Sequence, residues 1–89
     1  TDVSACFPTI QVTNSLGPYP AGEHLIIARL TGKGILEIGA KRFEADFDDE
    51  GLLGVIVQAE SAFDMRWTLP AGSGIYLNGH LIDGHAGMK

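Results

Sequence analysis

The chain has 89 residues, a formal net charge of −5, six Lys and Arg against eleven Asp and Glu, and a single cysteine. A chain of this length can bury one core and no more. An intrachain disulfide is excluded, and six scattered cations argue against nucleic acid as a partner. No apolar run approaches eighteen residues and no basic start leads into an apolar stretch, so a soluble chain without a membrane partner is expected.

Twelve glycines among ordinary apolar content suit an all-β domain with many turns. Residues 9–13 form the first strand candidate, with Pro8 at its start, where a missing N–H is tolerated. SLGPYPAG, residues 15–22, carries two prolines and two glycines and predicts a loop. EHLIIARL (23–30) reads as a strand, TGKG (31–34) as a turn, and GILEI as the next strand. Ile26, Ala28 and Leu30 share one face of the first of these; Leu25 and Ile27 share the other.

KRFEADF (41–47) follows a Gly39–Ala40 turn and alternates with period two, Phe43, Ala45 and Phe47 against Arg42, Glu44 and Asp46. DDEG (48–51) predicts an acidic turn. LLGVIVQAE (52–60) is then a two-sided apolar strand, with Leu53, Val55 and Val57 opposed by Leu52 and Ile56. In residues 62–69, Phe63, Met65, Trp67 and Leu69 form one face and Asp64, Arg66 and Thr68 the other. PAGSG (70–74) is expected to connect a hairpin to GIYLN, and GHLIDGHAGMK to close the chain as a polar tail. The reading is an antiparallel β-sandwich or small barrel of six to seven short strands, one domain throughout. Residues 1–22 form an N-terminal arm, 23–79 the core and 80–89 a tail.

Candidate chemistry is sparse. PAGSG lacks the Lys-Ser/Thr of a phosphate loop and the spacing of a dinucleotide fingerprint, so its glycines turn the chain. Asp46, Asp48 and Glu50 followed by Gly51 match the first half of a calcium loop. Val57, however, stands where the bidentate glutamate belongs, and a solvated acidic turn is expected. His80 and His85 around Asp83 do not preset a metal geometry, and His24 lies in a distant strand. Glu60 and Asp64 flank a turn in exposed phase, with no apolar pocket to perturb them. Cys6 has no neighbouring base and reads as an incidental apolar residue. Trp67 shares the core phase, which leaves only Tyr19 and Tyr76 as possible sugar platforms. No catalytic residue, metal site or cofactor is expected.

The two-sided strands are more informative. A small sheet needs only one apolar face, so a second one implies either a loop folded over it or contact with another subunit. If it is a subunit contact, Leu25 and Ile27, with Phe7 and Tyr19 from the N-terminal arm, are the expected interface residues.

LTGKGILEI (30–38), the acidic DDEG, and WTLPAGSGIYL (67–77) together resemble small β-sandwich proteins of tailed bacteriophages, over residues 25–79. The resemblance implies a non-enzymatic virion protein, a capsid decoration protein or a tail or fibre component. Such proteins commonly form trimers or larger rings that contact other virion proteins. The alternative is a monomeric acidic binding module, either a carbohydrate binder or an inhibitor that blocks a basic cleft of a host protein. Asp46, Asp48, Asp49, Glu50 and Asp64 would then supply the charge.

Overall fold

A computed structural model describes residues 10–84; Cys6, Phe7 and His85 lie outside the described residues. The fold is all-β. Six strands, β1 (Gln11–Tyr19), β2 (Gly22–Ile38), β3 (Lys41–Ala59), β4 (Phe63–Pro70), β5 (Gly74–Leu77) and β6 (His80–Gly84), make one antiparallel sheet curled into a half-barrel.

The count of six and the antiparallel barrel-like architecture match the expectation, but two of the strands are long and not short, with 17 residues in β2 and 19 in β3. TGKG is not a hairpin turn. The β2–β3 ladder pairs Leu30 with Gly51 and Gly32 with Phe47, so Thr31 alone stands opposite Asp48, Asp49 and Glu50. Extra residues on one strand of a pair bend and twist it without ending it. Gly32 supplies a positive φ of 94° at this point, which a residue with a Cβ adopts only under strain. The acidic DDEG stretch is therefore the long side of a bulge inside β3.

The bend divides the sheet into two halves. In the first, β1, β4, the end of β2 and the start of β3 lie side by side. In the second, β6, β5, the start of β2 and the end of β3 do so. β4 and β5 run in the same direction along the same edge of β2, opposite residues 35–38 and 26–29 respectively. The PAGSG segment is thus a step between collinear strands and not the hairpin connection that alternation on both sides suggests. The Ser73 backbone N–H and Oγ–H both donate to Pro70 O and lock that step.

Two further expectations are corrected at the chain ends. β1 continues to Tyr19 through the supposed loop, because it is an edge strand that, among the described residues, pairs only with β4. Proline is tolerated at an edge, and the irregularity falls between Leu16 and Tyr19, where Gly17 has φ 143°. Residues 80–84 are also not a tail. Asn78 (φ 51°) and Gly79 (φ 87°) form a two-residue hairpin that returns the chain as β6. Residues 1–22 and 80–89 each contribute a strand to the sheet, so it extends beyond the 23–79 core.

Inward residues of both halves form one cluster. Ile26, Ala28, Leu30, Leu36, Ile38, Met65, Trp67, Leu69 and Ile75 are buried, with Val55 and Leu77 at its margin. This bears out the core face read from β4 and the inward phase of β2 and β3. The halves are pinned across the core by polar contacts as well. Trp67 Nε1–H donates to Asp83 Oδ2 at 2.7 Å, and Asn14 Nδ2–H reaches the same oxygen at 3.3 Å. At the open end, the ring of His24 meets Phe63 edge-on at 5.3 Å. Its Nε2–H donates to Pro20 O at 2.8 Å, and its Nδ1 accepts from Asn78 Nδ2 at 3.1 Å. Asn78 in turn holds Leu25 through Oδ1 and through its own N–H.

Gly34 is the tightest point of the bend. A Cβ there would lie 2.6 Å from both Leu30 Cδ1 and Leu69 Cδ2, and both leucines are buried. Gly34→Ala is expected to lower unfolding stability by about 1–3 kcal/mol through overpacking, measured by denaturant titration. Trp67→Phe keeps the ring but removes the N–H that faces Asp83. A loss of about 1–3 kcal/mol is expected in the same titration, with the fold retained by circular dichroism.

Candidate functional site

The outward side chains of the two halves differ in kind. Across the first half they are polar apart from Ile35: Ser15, Arg66, Glu37 and Arg42 form one row, and Thr13, Thr68, Ile35 and Glu44 the next. Arg42 pairs with Glu44 at 2.9 Å, Arg66 approaches Glu37 at 3.9 Å, and the Thr13 and Thr68 hydroxyls share a hydrogen bond at 2.9 Å. This is the wet face that an antiparallel sheet ordinarily carries.

The second half repeats the geometry with apolar side chains. Ile56 stands opposite Leu25; Gly54, Ile27, Tyr76 and Leu81 form the adjacent row; Leu52 stands opposite Arg29. Ile56 is 67% exposed, Leu52 64%, Leu81 56% and Leu25 41%. Cross-strand neighbours lie about 5 Å apart, so these residues make one continuous patch. Single exposed leucines are unremarkable, whereas a contiguous group on one face marks a contact surface.

The patch has a polar border. Arg29 pairs with Glu50 of the bulge, and both this contact and a hydrogen bond to Tyr76 hold its guanidinium charged, above the ordinary arginine value. A Cβ at Gly74 would lie 3.1 Å from an Arg29 guanidinium nitrogen, 3.5 Å from the Tyr76 ring and 3.7 Å from Leu81. These three side chains therefore lean together over a strand position that has none of its own.

Sequence reasoning placed Leu25 and Ile27 on this outward face, and the structure puts both there, with Ile27 half-buried between Gly54 and Tyr76. Tyr19 is elsewhere. It packs against Phe63, ring centroids 5.8 Å apart, with the residues lining the core, and burial raises its phenol above the ordinary value. Leu52, Ile56, Tyr76 and Leu81 were not singled out as interface residues. The outward phases of Leu52, Ile56 and Tyr76 were visible in the alternation, but Leu81 needed β6 to be recognised.

The acidic set does not make one surface. Asp46 faces Lys33 across the ladder, Glu50 is engaged by Arg29, and Asp48 and Asp49 are exposed on the bulge. Asp64 lies at the opposite end of that half, where its carbonyl accepts the Gly39 N–H. Among the described residues no group of three or more His, Cys, Asp or Glu is placed to hold a metal ion. An open cleft of about 500 Å³ lies between the turn after β2 and the β3–β4 connection. Ile38, Val57, Ala59 and Phe63 line it, with Lys41 and Glu60 among its polar residues.

No protein-family model, no curated protein sequence and no solved structure matches this chain.

A dye that fluoresces on apolar surfaces checks the patch in the folded protein. Binding is expected at neutral pH without denaturant when the protein is diluted enough to be monomeric, and it should fall as concentration rises and copies cover the face. Leu52→Ser with Ile56→Ser should remove most of the signal, while Arg66→Ser on the charged half should leave it unchanged.

Proposed function

We propose that this protein is a non-enzymatic structural subunit that works by assembling with copies of itself, of the kind that decorates a bacteriophage capsid or builds a tail. The observation that carries this reading is the contrast between the two halves of one sheet. The same outward positions are charged and internally paired on the first half but apolar and exposed on the second. A sheet face that meets water has no use for Leu25, Leu52, Ile56 and Leu81 together, and covering each of these half-exposed side chains contributes about 1–2 kcal/mol. That is the chemistry of a lasting subunit contact, which is more apolar than a transient one.

The acidic inhibitor reading draws less support. An acidic decoy needs its carboxylates focused on one surface, and here Glu50 is neutralised by Arg29 while Asp64 lies apart from the bulge.

Assembly through the apolar face predicts a mass above that of the monomer by light scattering, insensitive to salt between low and moderate ionic strength. Leu81→Asp lies on the patch but outside the core, so it should reduce the mass to that of a folded monomer. A monomer in the unaltered protein, or an oligomer that dissociates as salt rises, overturns the reading.

A further inference from the structure

We infer that the second half of β3 is a strand-pairing edge whose occupant is the same segment of a second copy, joined antiparallel across a two-fold axis centred on Val55. The inference rests on the self-assembly reading above for the identity of the partner and goes beyond it in naming the contact.

β3 is bonded on one side to β2, and among the described residues no strand pairs with its other side. A free edge of this kind is a template for another chain unless something blunts it. The other free edges among the described residues are shorter or interrupted, β1 keeping only six regular residues, Gln11 to Leu16. β1 is a polar edge strand interrupted at Gly17 and Pro18, and β6 has only five residues. The first half of β3 carries Lys41, Arg42, Glu44 and Asp46 and ends in the Asp48–Asp49–Glu50 bulge. Residues 51–59, by contrast, contain no charge, no proline and no irregularity in the ladder.

The core also remains open along this strand. The inward residues of β2, from Ile26 to Ile38, are almost wholly buried, while Phe43, Phe47, Leu53 and Val57 of β3 are only half-buried. In a closed barrel every strand has two neighbours and the inward row is covered; among the described residues one side of β3 has none. An added strand covers Leu53 and Val57 and supplies partners for the backbone groups along the edge.

The self-assembly reading names a second copy as the occupant, and the uncharged run between Glu50 and Glu60 fixes the register. Centring the pair on Val55 sets Gly51 against Ala59, Leu52 against Gln58, Leu53 against Val57, and Gly54 against Ile56, so all nine residues pair and no charge enters the overlap. Inward residues meet inward residues and outward meet outward, as the period of two requires. The outward Ile56 of each copy lies over Gly54 of the other, a position with nothing within 4 Å of where a Cβ would be. The nearest like charges are Glu50 and Glu60 of the second copy, and Glu50 is already engaged by its own Arg29. The two apolar outer faces become continuous across the axis. Nine residues give an edge about 30 Å long. That alone is less than the roughly 800 Å² per partner of a standard interface, so the edge pair is concentration-dependent and works together with the apolar face.

The test is directed crosslinking in the full chain, with Cys6→Ser to remove the native thiol. In the double variant Leu52→Cys, Gln58→Cys the two positions are about 20 Å apart along one strand, beyond the roughly 7 Å limit for an intrachain disulfide. Across the inferred pair they are direct neighbours, at about 5 Å. Mild oxidation should convert most of the protein to a disulfide-linked dimer, while Thr13→Cys, Arg66→Cys on the charged half should give none. Hydrogen exchange on the unaltered chain supplies the second readout: amides within residues 51–59 should exchange about tenfold slower or more as protein concentration rises.

The inference is overturned if the crosslink fails to form at concentrations where the protein is oligomeric. It is also overturned if residues 51–59 are equally protected at every concentration, which would mean that the chain covers its own edge. The crosslink separates this contact from the wider reading. If it persists in Leu81→Asp, the edge pair forms without the face. If it fails while a large salt-insensitive oligomer remains, the face assembles without the edge.

Discussion

Everything in this fold depends on two long strands turning the same corner. β2 and β3 stay paired from Gly22–Ala59 to Ile38–Lys41, and the pairing survives the bend only because three residues of β3 stand opposite Thr31. Gly32 allows the backbone to turn there, and Gly34 lets Leu30 and Leu69 close over it. Without that bend one apolar face of a flat sheet would lie open to water. With it, the face closes on itself, and Trp67 from one half reaches Asp83 on the other. An 89-residue chain thereby obtains a two-layered core from a single sheet, within the limits its surface-to-volume ratio allows.

The same bend separates the outward surface into two territories. Carboxylates and guanidiniums neutralise one another on the first half, through Arg42–Glu44 and Arg66–Glu37. Exposed pairs of this sort add little stability, but they keep that face soluble and discourage strand addition at its edge. The second half has Arg29 and Glu50 at the bend and Glu23 opposite Gln58 at its far end, and between them it presents apolar side chains beside the uncharged edge of residues 51–59. Face and edge are adjacent, belong to the same half, and share Leu52, Ile56 and Gly54. That coincidence is what the proposed self-assembly rests on.

Much of this was legible in the alternation of side chains. The inward set Phe63, Met65, Trp67 and Leu69 and the opposed sets on residues 23–30 and 52–60 follow from a period of two, and the structure repeats them. The bends were not legible as bends. TGKG and DDEG carry the residues of hairpin turns, and a bulge uses the same chemistry; only the pairing partner on either side tells them apart, and that is tertiary information. PAGSG reads as a hairpin connection for the same reason, since two alternating runs joined by a glycine turn look alike whether they pair with each other or both pair with β2. The Asn78–Gly79 hairpin was visible as a dipeptide, but polar His80 and Asp83 obscured the strand that follows. Of the site, Leu25 and Ile27 were legible because they break the expected one-faced pattern. Leu81 and the free edge of β3 were not, since each is defined by which strands lie beside it.

We propose that the apolar half of this sheet is covered by another copy of the chain. The most direct measurement is the molar mass of the unaltered protein by light scattering across a wide concentration range. The account predicts a mass that rises to a defined multiple of 9.5 kDa and stays there when salt is added. A mass of 9.5 kDa at every concentration would contradict it, because Leu25, Leu52, Ile56 and Leu81 would then face water without a partner of their own kind.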